Sequence, residues 1–144
     1  MTNLPVADAL FTYGSLMWAD IVAAVAGATF PAESAVLPGF CRLCVRDEQY
    51  PGVVPAEQGV VAGIVYHGLG SEAWARLDRF EGEMYVRQPV LVRNASGSMA
   101  QVQCYVVRPE FRDRLTASEW DPAAFQNGGK ALFLAQYQGF KTID

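Results

Sequence analysis

Three groupings of side chains in this sequence are capable of chemistry. The densest runs Asp78-Arg79-Phe80-Glu81-Gly82-Glu83-Met84-Tyr85-Val86-Arg87. Composition alone reads it as a helix end with solvated charges. Glu81, however, stands between Phe80 and Gly82, where a helix end leads into a buried strand. A carboxylate in an apolar niche is costly to ionise, so its pKa rises toward the working pH, as a general base requires. The second grouping is Cys41-Arg42-Leu43-Cys44. A redox pair would set its first thiol at a helix N-terminus, where the dipole stabilises the thiolate. This stretch reads as a strand, on which residues three apart face opposite ways. Zinc would need four ligands, with only Cys104 and His67 as further soft partners. Structural cysteines are the preferred reading. The third is Ser15, on a sharp turn between a strand and a helix. A hydrolase elbow needs GxSxG, and the sequence has Tyr13-Gly14-Ser15-Leu16-Met17. Its base would be His67, the sole histidine, which ends a strand without an obvious orienting partner and reads as a surface or core-edge residue.

The elements that must position these groups follow from the apolar pattern. Ala9 to Tyr13 reads as a short buried strand stopped by Gly14-Ser15, followed by a helix from Met17 to Ala26 that ends at Gly27. Free N–H groups at such a junction, aided by the helix dipole, have the physics of an anion-binding loop. Neither a Walker loop nor a dinucleotide fingerprint is present. Glu33 to Leu37 and Phe40 to Val45 read as strands of a hairpin turned at Pro38-Gly39. Gln49 to Val54 reads as irregular and Val60 to Tyr66 as a strong strand, with Gly63 at a bulge or a close backbone approach. Ser71 reads as the N-cap of a helix reaching Phe80, with Trp74, Leu77 and Phe80 as its apolar stripe and a left-handed Gly82 at its end. Met84 to Arg93 and Ala100 to Val107 read as paired strands across the Asn94–Ser98 loop. A polar connector through Phe111 to Arg114 follows. Asp121 caps a final helix with Pro122 in its first position, docked through Phe125, Leu132, Phe133 and Tyr137 to offset the helix-breaking Gly128-Gly129. The sequence is expected to form a single α+β domain over residues 1–144. Its sheet is expected to be mixed and mostly antiparallel, curved or closed into a small barrel, with peripheral helices.

Composition narrows the function. The chain has 144 residues, 51% of them hydrophobic and 18% charged, enough to fill one core. With Lys+Arg 11 against Asp+Glu 15 and a net charge of −4, it offers no basic footprint for nucleic acid or an anionic membrane. A local arginine or a set of backbone amides can still hold a small anion. Three cysteines and an N-terminus, Met1 to Pro5, without a basic n-region point to a reducing cytoplasm. The longest nearly uncharged apolar stretch, Ile21 to Phe30, is too short to span a bilayer.

Taken in order, Phe11-Thr12-Tyr13-Gly14-Ser15-Leu16, Leu77-Asp78-Arg79-Phe80-Glu81-Gly82 and Met84-Tyr85-Val86-Arg87 resemble the gamma-glutamylcyclotransferase-like family, in its gamma-glutamylamine cyclotransferase and plant avirulence-induced branch. Leu37-Pro38-Gly39-Phe40 with Arg42, Tyr50-Pro51 and the Trp120-Asp121 helix start extend the likeness from Leu10 to Phe140. The resemblance implies a small barrel with outer helices and one cavity. It implies that Tyr13, Gly14, Ser15 and Leu16 hold the gamma-glutamyl part of a small-molecule substrate, and that Glu81 is the general base for release of 5-oxoproline.

On that reading the substrate's own alpha-amine is the nucleophile. Proximity therefore supplies much of the rate, and one carboxylate suffices for the proton transfers. No metal or organic cofactor is called for. The N–H groups of Gly14, Ser15 and Leu16 are candidates to hold the alpha-carboxylate or the oxyanion, and the hydroxyls of Tyr13, Tyr85 and Tyr105 to orient the substrate. Arg42 and Arg87 read as ion-pair partners more readily than as substrate contacts. A non-catalytic small-molecule or protein binding module on the same fold is the alternative.

Overall fold

A computed structural model describes residues 8–143. The Met1–Pro5 segment lies outside the described residues. The chain starts with β1 (Ala9–Thr12), a 3-10 turn at Ser15–Met17 and α1 (Ala19–Ala26). Two long strands follow, β2 (Ala32–Val45) and β3 (Pro51–His67). Then come α2 (Ser71–Glu81), β4 (Tyr85–Asn94) and β5 (Met99–Val107). After a 3-10 segment at Pro109–Arg114, β6 (Leu115–Glu119) leads to α3 (Pro122–Ala124), a widened turn at Phe125–Gly129, α4 (Lys130–Gln136) and a last 3-10 turn at Gln138–Thr142.

The strands hydrogen-bond in the order β3-β1-β5-β4-β2-β6, and β2 pairs with β3 as well. Five strands therefore close on themselves and β6 hangs from β2. Every pairing is antiparallel except β1 with β5. Closure removes the sheet edges that would otherwise invite pairing with another chain. This is the expected α+β barrel-like sheet with helices outside. The interior is filled by Phe11, Leu37, Val53, Val65 and Val92 among others, each at most 1% exposed. A second core lies between the outside of the barrel and the helices, built around Leu10, Ile21, Leu77, Phe80, Phe125 and Phe133.

Several local expectations are corrected. Pro38-Gly39 does not turn a hairpin. β2 runs through it with a register shift between Pro38 and Phe40, and Gly39 absorbs the irregularity at φ 86°. The hairpin turns instead at 46–50, where Asp47 has φ 64°, so Pro51–Val54 is strand and not irregular. The first helix is broken at Trp18, whose backbone is extended, and a separate 3-10 turn precedes it. Gly70 is the N-cap of α2, without a side-chain bond, and Ser71 is already helical. Gly82 closes α2 at φ 77° but ψ −165°, so its φ is positive without being left-handed helical. The polar connector is the 3-10 segment and strand β6. The C-terminal helix is broken rather than continuous, because Asn127 and Gly128 leave helical geometry, Gly128 at φ 154°. Phe125 and Phe133 dock as expected, while Leu132 is 46% exposed. Gly63 meets the expectation of close approach: a Cβ there would lie 2.1 Å from the Thr12 carbonyl oxygen.

Candidate active site

The end of β1 delivers Tyr13, Gly14, Ser15 and Leu16 to the boundary between the two cores, all four buried. Across from them the last turn of α2 delivers Glu81. Buried Leu77 and Phe80 anchor that turn, and Tyr137 donates its hydroxyl to the Phe80 carbonyl at 2.9 Å. Between loop and helix lies a narrow cavity of about 30 Å³. The Tyr13–Leu16 loop, Glu81, Tyr85 and Tyr105 all line it, so every residue expected to form a site meets in one place. Tyr50, Pro51, Phe133 and Tyr137 complete the wall.

The loop is held from two sides. Arg42 donates to the Tyr13 carbonyl at 3.0 Å while its guanidinium lies 5.3 Å from the Trp120 ring centre. Tyr85 donates to the Pro51 carbonyl at 2.8 Å. The Pro51 ring in turn fills the space beside Gly14, where a Cβ would sit 2.8 Å from Pro51 Cδ. Gly14 has φ −130°. It is required by this contact, not by a positive φ. Ser15 and Leu16 open the 3-10 turn, and among the described residues no hydrogen bond engages the N–H of Gly14, Ser15 or Leu16. Orphan donors at the start of a helical turn remain available to an anion.

The tyrosine hydroxyls are already committed as donors within the protein: Tyr13 to the Tyr105 carbonyl at 2.6 Å, Tyr85 to Pro51, and Tyr105 to Asp78 at 2.6 Å. They retain acceptor lone pairs only, suited to a ligand ammonium rather than a ligand carboxylate. Burial, with added repulsion from neighbouring charges, pushes all three phenols well above their ordinary pKa. The same holds for Tyr137, and Tyr50 is pushed to about 12.

Glu81 contrasts with them. Among the described residues its carboxylate has neither a hydrogen bond nor an ion pair. Loss of hydration raises its pKa from 4.5 to about 8, and the neighbouring Asp78 charge adds to the rise. Asp78 itself is engaged by Arg87, whose Nε and Nη2 donate at 3.0 and 3.1 Å. Arg87 lies 4.5 Å from the Trp74 ring centre. Both arginines singled out in the sequence are therefore supports: Arg87 pairs with Asp78, whereas Arg42 binds carbonyls in place of a carboxylate.

A sequence model of the family described as "Gamma-glutamyl cyclotransferase, AIG2-like" matches residues 10–122. The chain belongs to this family. AIG2-like protein D of Arabidopsis thaliana is 32% identical over 108 residues, covering 74% of this chain and 71% of the relative. AIG2-like protein A from the same plant is 36% identical over 98 residues, 67% of this chain and 59% of the relative. In structure, the chain is similar to an Arabidopsis thaliana protein solved in solution, with a TM-score of 0.69 and 30% identity over 89% of this chain and 86% of that one. It also shares its fold with a gamma-glutamyl cyclotransferase at a TM-score of 0.65 and 18% identity, covering 95% and 88% of the two chains.

The other sequence candidates lie away from the slot. Cys41 and Cys44 are free, half-buried residues of β2, and Cys44 faces the Glu119 carbonyl at 3.5 Å. Among the described residues no three of His, Cys, Asp and Glu gather in a group able to hold a metal. His67 has the partner the sequence did not reveal, Glu33 at 2.7 Å. Among the described residues no helix is long and apolar enough to cross a membrane. Sequence reasoning named Tyr50, Tyr137 and Asp78 but gave them no part in the site; Tyr50 and Tyr137 line the slot and Asp78 lies beside it. The Tyr50-Pro51 pair was itself a signal, part of the family likeness.

Proposed function

We propose that this chain is a gamma-glutamyl cyclotransferase that releases 5-oxoproline from a gamma-glutamyl amide, amine or peptide. One observation supports this most. Glu81 is the one carboxylate lining the slot, and burial brings its pKa up to about 8 while pushing the tyrosines around it upward, away from neutral pH. A substrate with its own nucleophile needs one such group.

The glutamyl part enters between the loop and Glu81. The slot is narrow, so lining side chains give way as it enters. The orphan N–H groups of Ser15 and Leu16 receive its alpha-carboxylate or the carbonyl oxygen. Ionised Glu81 accepts a proton from the alpha-ammonium, freeing the lone pair. The alpha-nitrogen attacks the gamma-carbonyl carbon, the new N–C bond closes a five-membered ring, and the bond from that carbon to the leaving nitrogen breaks. The proton held by Glu81 passes to the leaving nitrogen, and the second proton that the ring nitrogen sheds to become a lactam N–H follows by way of the same carboxylate, so the amine departs as an ammonium beside one 5-oxoproline and the carboxylate is restored. No water is consumed. The geometry contributes the folded near-attack conformer and a base already dehydrated.

The test is a screen for 5-oxoproline release across gamma-glutamyl amides, peptides and isopeptides, run with wild type and Glu81→Gln. Release by wild type that Glu81→Gln lacks supports the reading. Equal release by both would show that Glu81 is not the base.

A further inference from the structure

A second cavity, about 290 Å³, adjoins the slot and shares the walls formed by Tyr85 and Tyr105. The final turn of α2 lies over both. Glu81 reaches the slot, while Asp78 and Gly82 border the second cavity. Its remaining lining is Arg87 and Arg108. This cavity is much roomier than the slot and more polar, so it suits a group the slot does not accept.

Its charge is lopsided. Arg87 is neutralised by the two-point pairing with Asp78. Arg108 is held only by its backbone, whose N–H donates to the Met84 carbonyl at 2.9 Å just past the end of β5. Among the described residues its guanidinium has no carboxylate, carbonyl or hydroxyl partner, although it is half-buried. Glu83 and Glu110 are close in sequence yet do not line the cavity. One positive charge with five donors therefore faces a polar hollow that adjoins the reacting group's slot.

We propose that this cavity is the leaving-group subsite of the reaction above, and that Arg108 receives a carboxylate there. The inference rests on the cyclotransferase reading of the slot. A gamma-glutamyl chain held at the loop with its gamma-carbonyl by Glu81 continues past Tyr85 and Tyr105 into this hollow. The substrate class that fits carries an anionic leaving group, an alpha-amino acid or short peptide joined through its amine. A neutral or cationic amine leaves the guanidinium without a partner. Gly82 adds no side chain to this cavity's lining, and nothing lies within 4 Å of where its Cβ would be.

The test compares kcat/KM for gamma-glutamyl-alanine and gamma-glutamyl-ethylamide, which differ in one carboxylate, in wild type, Arg108→Gln and Arg108→Lys. Wild type is expected to favour the alanine compound. Arg108→Gln should lower the ratio of the two values about tenfold or more, as loss of a charge-assisted hydrogen bond does. Arg108→Lys should retain part of it. A ratio unchanged in Arg108→Gln, or a wild type that favours the ethylamide, overturns the subsite. If wild type releases 5-oxoproline from neither compound nor from any in the wider screen, the cyclotransferase reading itself fails. The subsite is then judged by titrating the same two compounds into wild type and Arg108→Gln, and affinities that do not distinguish them overturn it too.

Discussion

The inside of the barrel and the layer between barrel and helices exclude water in different ways. The interior is packed largely with branched aliphatics: Leu37, Val53, Val65, Val90, Val92 and Val102 meet with little room between them. Its one phenol, Tyr13, sends its hydroxyl to a strand carbonyl. The outer layer is aromatic. Phe80, Phe133, Tyr137 and Phe140 touch one another at ring separations of 4.8 to 6.2 Å. Rings pack edge-to-face and leave slots where branched aliphatics interdigitate. An aromatic wall also strips water from a carboxylate without bonding it, provided its hydroxyls are committed elsewhere. Tyr137 meets that condition by donating to the Phe80 carbonyl.

The sharpest contrast comes from one change in each region. Glu81→Gln should fold and lose about 10²- to 10⁴-fold in kcat, as removal of a general base does. Leu37→Ala, at 0% exposure in the barrel, should lower stability by about 2–5 kcal/mol and leave kcat of the folded fraction intact. Chemical denaturation beside steady-state rates checks both. A Leu37→Ala enzyme that is stable but slow would dissolve the distinction.

pH should report the same asymmetry. With Glu81 near 8 in the folded state, kcat/KM is expected to rise about tenfold between pH 7 and pH 9 before substrate amine ionisation intervenes. Stability moves the other way. The folded carboxyl binds its proton more tightly than the unfolded one, so stability is complete below about 4.5 and declines as pH climbs through about 8. Glu81→Gln should flatten that decline. A pH profile of unfolding midpoints for both proteins decides the matter, and parallel profiles would mean that Glu81 is hydrated.

At the loop, Gly14→Val drives a side chain against Pro51 and should raise KM, with about 1–3 kcal/mol lost to overpacking. Ser15→Ala should cost about 1 kcal/mol at most if, as proposed, the loop acts through main-chain N–H groups. Ser15→Ala forming no product at saturating substrate would make the hydroxyl a participant. Smallest of all, Cys41→Ala and Cys44→Ala should leave specific activity unchanged, since β2 carries both thiols away from the slot. Loss of activity that an added metal or oxidant restores would reverse that conclusion.

Elements built on strong local signals were legible in the sequence. The stripe Trp74, Leu77, Phe80 gave α2 its buried face, and the Asp121 side chain does accept from the Ala123 N–H at 3.0 Å. Glu81 was legible because a glycine and an aromatic flank it at a helix end. What was not legible depends on distant partners. Pro38-Gly39 looks like a turn until β3 pairs on both sides of it. β6 is polar and short, and only the side of β2 makes it a strand. Tyr13, Tyr85 and Tyr105 do line the slot, but the acceptors that engage their hydroxyls lie 92, 34 and 27 residues away. Sequence shows a hydroxyl and not its commitment.

The parallel seam between β1 and β5 pairs Leu10 with Gln103, and it sets an order of assembly. The hairpin of β2 and β3, and that of β4 and β5, can zip from their own turns. β1 slides between β3 and β5, both of them distant from it in sequence. Closing so wide a loop is entropically slow and comes after local structure has formed. The Tyr13–Leu16 loop hangs from β1, so it is finished when the seam closes. A nascent or refolding chain should therefore bury most of its apolar surface before it can turn over substrate, with recovery of activity lagging the fluorescence change of Trp74 and Trp120.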